Sequence, residues 1–199
     1  MPLPNDSAAQ GRFARKAEQI LTGATQVFLQ RGYERASMDR IAKAAGVSKQ
    51  TLYSHFADKE DLFVALVNKM SRRRLEESFG SVPLKGKPRD VLHALAKTTL
   101  TQLSADEEYH DFLRLMVAES KRFPELVEKF LLTAVRPPMI KLTEVLVDSP
   151  DLEIKDPEAT AHILIGAIVF FVLTQEIMPG RAVMPMESER LASALVATI

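Results

Sequence analysis

The sequence predicts an all-α fold for this chain of 199 residues. Apolar residues recur at spacings of three and four along most of the chain, which is the period of an amphipathic helix. No segment alternates apolar and polar residues clearly enough to be a strand. Prolines and glycines punctuate the gaps between the periodic segments, as they do in loops and at helix ends.

The first two helices follow from an apolar stripe and from their end signals. The stripe of the first helix runs from Phe13 to Phe28, and Gly32 after it is a plausible left-handed stop. Ser37 is a good N-cap for a short second helix, because its hydroxyl oxygen can accept from a free backbone amide. Gly46 then breaks this second helix.

A third helix and a long fourth helix follow the turn. Ser48 can cap the third helix, which runs to about Phe56. Asp58, with Asp61 three residues later, resembles a capping box and opens the fourth helix. The apolar stripe of the fourth helix is Leu62, Phe63, Leu66, Val67 and Met70.

The rest of the chain is predicted to contain five more helices. Segment 80–88 is rich in Gly, Pro, Ser and Lys, which indicates a loop and a domain boundary. Pro137 and Pro138 must break or kink the predicted helix 125–147, since neither can donate an amide hydrogen bond. The predicted helices are 88–104, 109–122, 125–147, 156–177 and 187–199.

Composition narrows the class of protein. Hydrophobic residues make up 46% and charged residues 26%, which is typical of a soluble globular protein. The chain has no Cys, so disulfides and thiolate metal sites are excluded. The N-terminus lacks the apolar core of a signal peptide, and the longest apolar run, Ile163 to Leu173, is about half of a membrane span. We therefore expect a cytoplasmic protein without a membrane partner, metal or cofactor.

Charge is distributed unevenly along the chain. Residues 1–56 carry eight Lys and Arg against four Asp and Glu, a net charge of +4, so the remaining 143 residues carry −4. A basic N-terminal part and an acidic remainder indicate that residues 1–56 alone face a polyanion.

Segment 37–56 has the properties of a helix-turn-helix, in which about four residues with a glycine join two short helices. Val47, Leu52 and Phe56 can pin the second helix to its neighbours. Its opposite side carries no carboxylate, as a surface approaching phosphates requires, and an α-helix fits the major groove. On pattern alone, a short solvated helix remains the alternative. The polar side consists of Lys49, Gln50, Tyr53 and Ser54, flanked by Thr51 and His55.

Residues 17–66 resemble the TetR family of bacterial transcription regulators. The matches follow in order and without a gap over about fifty residues: Ile20-Leu21, Ala24, Phe28, Gly32-Tyr33, Ser37-Met38, Ile41-Ala42, Ala44 to Ser48, Thr51-Leu52-Tyr53, His55-Phe56, Lys59-Glu60 and Leu62-Phe63. The resemblance implies an N-terminal three-helix helix-turn-helix domain, residues 1–58. It also implies that a long fourth helix joins this domain to a C-terminal helical ligand-binding and dimerisation domain, residues 59–199.

The resemblance also implies roles for individual residues. Ser37, Tyr53 and Lys59 match phosphate contacts, which set the register on DNA. Lys49, Gln50 and Thr51 match base-reading positions, where Lys can bond guanine and Gln can bond adenine. His55 either contacts phosphate or braces the helix. The predicted DNA-binding set is Ser37, Ser48, Lys49, Gln50, Thr51, Tyr53, Ser54, His55 and Lys59.

Helix 156–177 is apolar around its whole circumference, so each of its sides should be buried. A second copy covering one side is the simplest explanation, and a central helix in a monomer is the alternative. The family resemblance likewise implies a homodimer, which would read a palindromic operator. The predicted interface is His162, Ile165, Gly166, Val169, Leu191 and Leu195.

A small-molecule pocket within 88–177 is also implied by the resemblance. Aromatic and Met side chains offer adaptable apolar lining, although each is more often ordinary core. We expect an uncharged or weakly polar, largely apolar ligand that releases the protein from its double-stranded DNA operator. The predicted pocket residues are His93, Phe112, Met116, Phe130, Phe170 and Phe171.

An enzyme is the main competing class. The sequence has no His-Glu-x-x-His, no Gly-rich phosphate loop and no nucleophile elbow, and its four His residues lack metal-ligand spacing. We therefore expect a regulator without enzymatic activity, by default a repressor. An activator, or a regulator without a ligand, would have the same sequence features.

Overall fold

The structure is a computed structural model that describes residues 5–199, with side chains from residue 10 onward. The described residues form eleven α-helices and no strand. The helices are α1 Asn5–Arg35, α2 Met38–Ala44, α3 Lys49–His55, α4 Lys59–Gly80, α5 Pro88–Ala105, α6 Glu107–Glu119, α7 Pro124–Phe130, α8 Arg136–Val147, α9 Pro157–Val172, α10 Gly180–Val183 and α11 Ser188–Ala197.

The chain divides into two compact units. The first unit runs to Lys69 and also contains Leu115–Lys129, and the second contains Met70–Arg114 and Phe130–Ile199. The boundary predicted after residue 58 falls inside the first unit, because the start of α4 belongs to that unit's core. The Phe63 ring of α4, for example, meets the Phe28 ring of α1 edge to face at 5.6 Å between centroids.

The helix ends in the first unit follow from local chemistry. Gly32 interrupts α1 with φ 76° and ψ 166°, so it has the positive φ of the predicted stop but an extended ψ. Gly46 has φ 63° in the turn between α2 and α3. The Asp58 carboxylate accepts from the amides of Glu60 and Asp61 at 2.9 and 2.8 Å, which confirms the predicted cap of α4.

A close contact between α1 and the end of α2 depends on Gly23. A Cβ atom at this position would lie only 2.6 to 2.8 Å from the backbone N, Cα and Cβ of Ala45. The Gln19 amide nitrogen, one turn before Gly23, donates to the Ala45 carbonyl at 2.6 Å. The missing side chain of Gly23 therefore lets the helix-turn-helix lie directly against α1.

Pro137 and Pro138 in the second unit do not interrupt a helix in its middle, although the sequence predicted this. Residues Leu131–Val135 form one π-helical turn, and α8 begins at the next residue. Pro137 and Pro138 then occupy the first turn of α8, where a missing amide donor costs little. The predicted helix 125–147 is thus α7, a π-helical turn and α8 in succession. The short helix α10, in the proline-punctuated segment before α11, was not predicted.

Helix α9 continues through a second π-helical turn, Leu173–Ile177. Together they form a stretch of 21 residues whose most apolar 18-residue window has a mean hydropathy of 1.7, long and apolar enough to span a membrane by length and composition. The sequence prediction counted only the uninterrupted apolar run, which is shorter. About a third of the stretch is buried within the chain, where Leu164, Ile168 and Phe171 face the core.

Candidate DNA-binding face and ligand cavity

Helix α3 is held in place from one side. Leu52 is fully buried and Phe56 nearly so, while Val47 is half-buried in the turn before them. The other side of α3 exposes Lys49, Gln50, Tyr53 and Ser54, and these four define the reading face. The predicted division of this helix into apolar anchors and a polar face is therefore present in the structure.

Several hydroxyl groups near the reading face make intramolecular hydrogen bonds. Ser37 Oγ accepts from the Arg40 amide at 3.4 Å, and Ser48 Oγ accepts from the Thr51 amide at 3.0 Å, so both residues cap helices. Thr51 Oγ1 lies 2.8 Å from Ser48 Oγ, and Ser54 Oγ donates to the Thr51 carbonyl at 2.7 Å. These hydrogen bonds stabilise the helix-turn-helix. The predicted DNA contacts of the same residues would be made in addition to them.

Lys49 has a partner that the sequence analysis did not identify. Its ammonium lies 2.6 Å from the Asp39 carboxylate of α2, and both side chains are more than 60% exposed. Residues 47–57 contain no carboxylate, but Asp39 lies ten positions before Lys49 in the sequence. No local pattern points to the pair, since a turn and ten positions separate Asp39 from Lys49 and α2 also carries Arg40 and Lys43.

His55 is packed and not free. Its ring stacks on Phe13 of α1 with 3.8 Å between centroids, and its Nδ1 is buried without a hydrogen-bond partner among the described residues. Burial, and to a lesser degree Lys16, lowers the pKa of His55 below its ordinary value. The neutral, stacked ring supports the alternative in which His55 braces α3 against α1.

The Lys59 side chain points to a structural role. Its ammonium donates to the carbonyl oxygens of Tyr33 at 2.9 Å, Ala36 at 3.3 Å and Glu34 at 3.4 Å, and it lies 4.2 Å from the centre of the Tyr33 ring. Burial lowers the pKa of this ammonium, and Glu119 and Glu34 oppose the shift. The predicted phosphate contact of Lys59 would be made in addition to these bonds, since the Asp58 carboxylate already accepts from the amides of Glu60 and Asp61 at the start of α4.

The second unit contains an apolar cavity of about 160 Å³. Its walls come from α4, α5, α6, α8, α9, α11 and the π-helical turn before α8, and they consist mainly of Leu, Ile, Val and Ala side chains. Polar residues also line the wall, among them Arg74, Thr99 and Tyr109. A largely apolar cavity with a few polar groups is typical of a small-molecule site.

Arg74 belongs to a network of ion pairs beside the cavity. Its guanidinium lies 2.8 Å from Asp106 and stacks over the Tyr109 ring at 3.8 Å from the ring centre. Arg73 lies 3.0 Å from the same Asp106 carboxylate and 3.8 Å from Glu77. Burial raises the pKa of Asp106, but Arg74, the Tyr109 amide and Arg73 together bring it below its ordinary value. Asp106 is therefore a carboxylate, and the network holds two positive and two negative charges.

The six predicted pocket residues lie elsewhere, and none of them lines this cavity. Phe112, Met116, Phe130 and Phe171 are buried as core side chains, and Phe170 is exposed. His93 lies 3.3 Å from Ser193 and 3.4 Å from Glu189, on the surface between α5 and α11. The physical reason is size, since a large ring fills space, whereas the cavity is bounded mostly by aliphatic and small side chains.

The predicted dimer residues separate into two groups. His162, Gly166 and Val169 are exposed on α9, and a Cβ atom added to Gly166 would meet no atom within 4 Å. Leu195 is buried in the core of its own unit and lines the cavity together with the half-buried Ile165, because α11 packs inward against α5. Leu191 is half-buried in the same core. The apolar surface of α9 instead continues through Ile163 and Phe170, which are 66% and 56% exposed.

Comparison with known proteins gives matches in both parts of the chain. Residues 20–66 match the family described as bacterial regulatory proteins, tetR family, and residues 90–199 match the C-terminal domain of AefR-like transcriptional repressors. FasR, a helix-turn-helix transcriptional activator from Mycolicibacterium smegmatis, is 49% identical over 51 residues. This match covers 26% of the chain and 23% of FasR, so the chain spans about a quarter of the length of that relative.

Solved structures share the whole architecture. A TetR-family transcriptional regulator from Mesorhizobium loti has a TM-score of 0.77 and 28% identity, over 94% of this chain and 96% of that one. The regulator FadR from Bacillus subtilis, in complex with stearoyl-CoA, has a TM-score of 0.71 over 92% of this chain and 98% of that one. At 22% identity, FadR shows a common fold alone.

An all-helical fold that carries a helix-turn-helix with a free polar face defines a DNA-binding transcription regulator. The chain belongs to the TetR family, since a family match extends over more than half of its length. The predictions of the family, of the all-α fold and of a protein that is not an enzyme are confirmed.

Proposed function

We propose that the chain is a cytoplasmic repressor that binds a palindromic operator as a homodimer and is released by a small, largely apolar ligand. The observation that carries the proposal is the reading face of α3, whose polar side chains are exposed while Leu52 and Phe56 anchor the helix from behind. An activator such as FasR belongs to the same structural class, so the position of the operator decides the sign of regulation.

The surface of α8 and α9 supports the homodimer. Both helices expose large apolar side chains, and Ile140, Val147, Ile163, Val169 and Phe170 are each between 46% and 66% exposed. Several large apolar side chains exposed on two helices that pack together are typical of a protein interface. A two-fold dimer places two reading faces on DNA, with half-sites about one helical turn apart or slightly more.

The cavity of the second unit supports the ligand. FadR, which shares the fold, binds stearoyl-CoA, an amphipathic molecule with a long apolar chain. In our proposal, a ligand in the cavity favours a conformation of the second unit in which the two reading faces no longer match the half-site spacing.

Selection from a library of randomised duplexes tests the proposal. We expect an inverted repeat to emerge, and we expect its affinity to fall steeply with salt because Lys and Arg displace counterions. Gln50→Ala should relax discrimination at one base step in each half-site, whereas Gln30→Ala, at an exposed position of α1, serves as the matched control. Equal behaviour of the two variants, or no enriched repeat, would contradict the proposed reading face.

Sedimentation at micromolar concentration tests the homodimer separately. Ile163→Asp places a charge on the exposed face of α9 and should yield a folded monomer that binds the operator weakly. Val183→Asp is the control, because Val183 is 81% exposed outside α8 and α9. A wild-type chain that sediments as a folded monomer would refute the dimer.

A further inference from the structure

The polar groups on the cavity wall have hydrogen-bonding capacity to spare. Arg74 Nε is buried and has no acceptor among the described residues. Tyr109 and Thr99 also line the wall, and each carries a hydroxyl group. Unpaired polar groups beside an apolar space are costly to leave unsatisfied. We call Arg74, Thr99 and Tyr109 the polar corner of the cavity.

The corner offers hydrogen-bond donors. Arg74 Nε can only donate, and the hydroxyl groups of Thr99 and Tyr109 can donate or accept. Burial raises the pKa of Tyr109, so its hydroxyl keeps its proton and can donate it in a hydrogen bond. An oxygen with two lone pairs can accept from two such donors at once.

The corner has no net charge to offer an anion. Arg74 is already paired with Asp106 at 2.8 Å, and Arg73 lies between Asp106 and Glu77. A ligand carboxylate would lie near the Asp106 carboxylate in an apolar cavity, where an unpaired charge is strongly disfavoured. A neutral oxygen avoids that cost and still satisfies the donors.

The volume limits the size of the ligand. A cavity of about 160 Å³ is close to the roughly 150 Å³ engineered cavity that holds benzene. The occupant therefore has on the order of six to ten non-hydrogen atoms.

We propose that the cavity binds a small uncharged molecule with one carbonyl or hydroxyl oxygen, which accepts a hydrogen bond from the Tyr109 hydroxyl while an apolar body fills the rest. This inference rests on the proposed ligand-binding function and names the chemical class of the ligand. The carbonyl compound can be aromatic or aliphatic, since the aliphatic wall is compatible with both.

Calorimetry on the full chain, with ligands of matched shape, tests the class. Acetophenone, benzoate and cumene have the same branched outline, but they present a carbonyl, a carboxylate and an isopropyl group to the corner. We expect acetophenone to bind at least about tenfold more tightly than benzoate. Methyl pentyl ketone and hexanoate repeat the comparison between a carbonyl and a carboxylate on an aliphatic chain. The two series together show whether the cavity prefers an aromatic or an aliphatic carbonyl compound.

Two isosteric variants test whether the affinity for acetophenone depends on the hydroxyl groups of the polar corner. Tyr109→Phe should weaken acetophenone binding about fivefold or more, through the lost hydrogen bond, and leave cumene binding unchanged or tighter. Thr99→Val should act in the same direction more weakly, and Thr98→Val is its control, because Thr98 does not line the cavity. Equal losses for acetophenone and cumene, or benzoate binding as tightly as acetophenone, would overturn the inference.

The outcome also separates this inference from the proposed function. Operator binding is measured without any ligand, so a failure of every small carbonyl compound to bind overturns the inference and leaves the operator result standing. A small apolar compound without an acceptor oxygen that releases the operator normally from the Tyr109→Phe variant would sustain the proposed function and likewise overturn the inference.

Discussion

The cores of the two units are packed differently. In the first unit the rings of Phe28, Tyr33, Phe63 and Phe123 form a cluster with centroid distances between 5.2 and 5.7 Å. In the second unit, Leu, Ile and Val side chains surround a cavity of about 160 Å³. Interlocked rings leave little freedom to rearrange, whereas an aliphatic wall around open space can adapt to an occupant.

The units also direct their polar groups differently. The first unit presents Gln50 and Tyr53 outward on the reading face, where they meet no partner among the described residues. The second unit turns Arg74, Thr99 and Tyr109 toward its cavity. The first unit therefore offers a rigid surface to an external partner. The second unit offers an adaptable interior to a small molecule.

The largest expected effect comes from Gly23→Ala in the first unit. The added Cβ would lie 2.6 Å from the backbone nitrogen of Ala45, so the backbone of the helix-turn-helix must move. We expect a loss of about 3 kcal/mol in the free energy of unfolding, measured by urea denaturation, together with weaker operator binding.

Gly11→Ala is the matched control in the same helix. A Cβ atom at Gly11 meets nothing within 4 Å, so the substitution should stabilise α1 by about 0.5 to 1 kcal/mol through its higher helix propensity. Similar effects of the two substitutions would show that the first unit is not the tightly packed platform described above.

An intermediate effect is expected when the same side chain is enlarged in each core. Ala24 is fully buried in α1, and Ala96 lines the cavity in α5. Ala24→Leu should destabilise the protein by about 1 to 3 kcal/mol because it overpacks the core. Ala96→Leu should change stability by less than about 1 kcal/mol, since the cavity has room for the added methyl groups, and it should weaken ligand binding. Equal losses in a denaturation series would mean that the cavity is not usable space.

Local signals explain why much of the first unit could be predicted from the sequence. The caps Ser48 and Asp58 and the turn glycine Gly46 act within four residues of their own position, so their spacing is sufficient to place them. The anchors Leu52 and Phe56 follow from the helical period alone. The partner of Lys59 could not be predicted in this way, because its ammonium binds carbonyl groups more than twenty residues earlier.

The cavity escaped prediction for a related reason. Its lining comes from six helices between residues 71 and 199, and a cavity is defined by space that side chains leave empty. Sequence patterns identify large apolar residues such as Phe112 and Phe130, and these fill the core. The polar corner could be recognised only from the folded structure, since Arg74, Thr99 and Tyr109 come from three different helices.

The smallest effect on stability, and the sharpest test of the reading face, is expected from Asp39→Asn. Asp39 and Lys49 form an exposed ion pair, and such pairs contribute less than about 1 kcal/mol to folding. The substitution removes one negative charge beside the proposed DNA contact and releases the Lys49 ammonium. We expect affinity for any duplex to rise about threefold at low salt.

Glu18→Gln separates local positioning from net charge. Glu18 forms an exposed ion pair with Lys69 in the same unit, so the substitution makes the same change in charge away from α3. If Asp39 holds Lys49 toward a base, only Asp39→Asn will lower the ratio of operator affinity to non-specific affinity, because a freed ammonium can bind phosphates of any sequence. If both variants change the two affinities alike, Lys49 acts through charge alone, and base discrimination by α3 rests on its remaining exposed side chains.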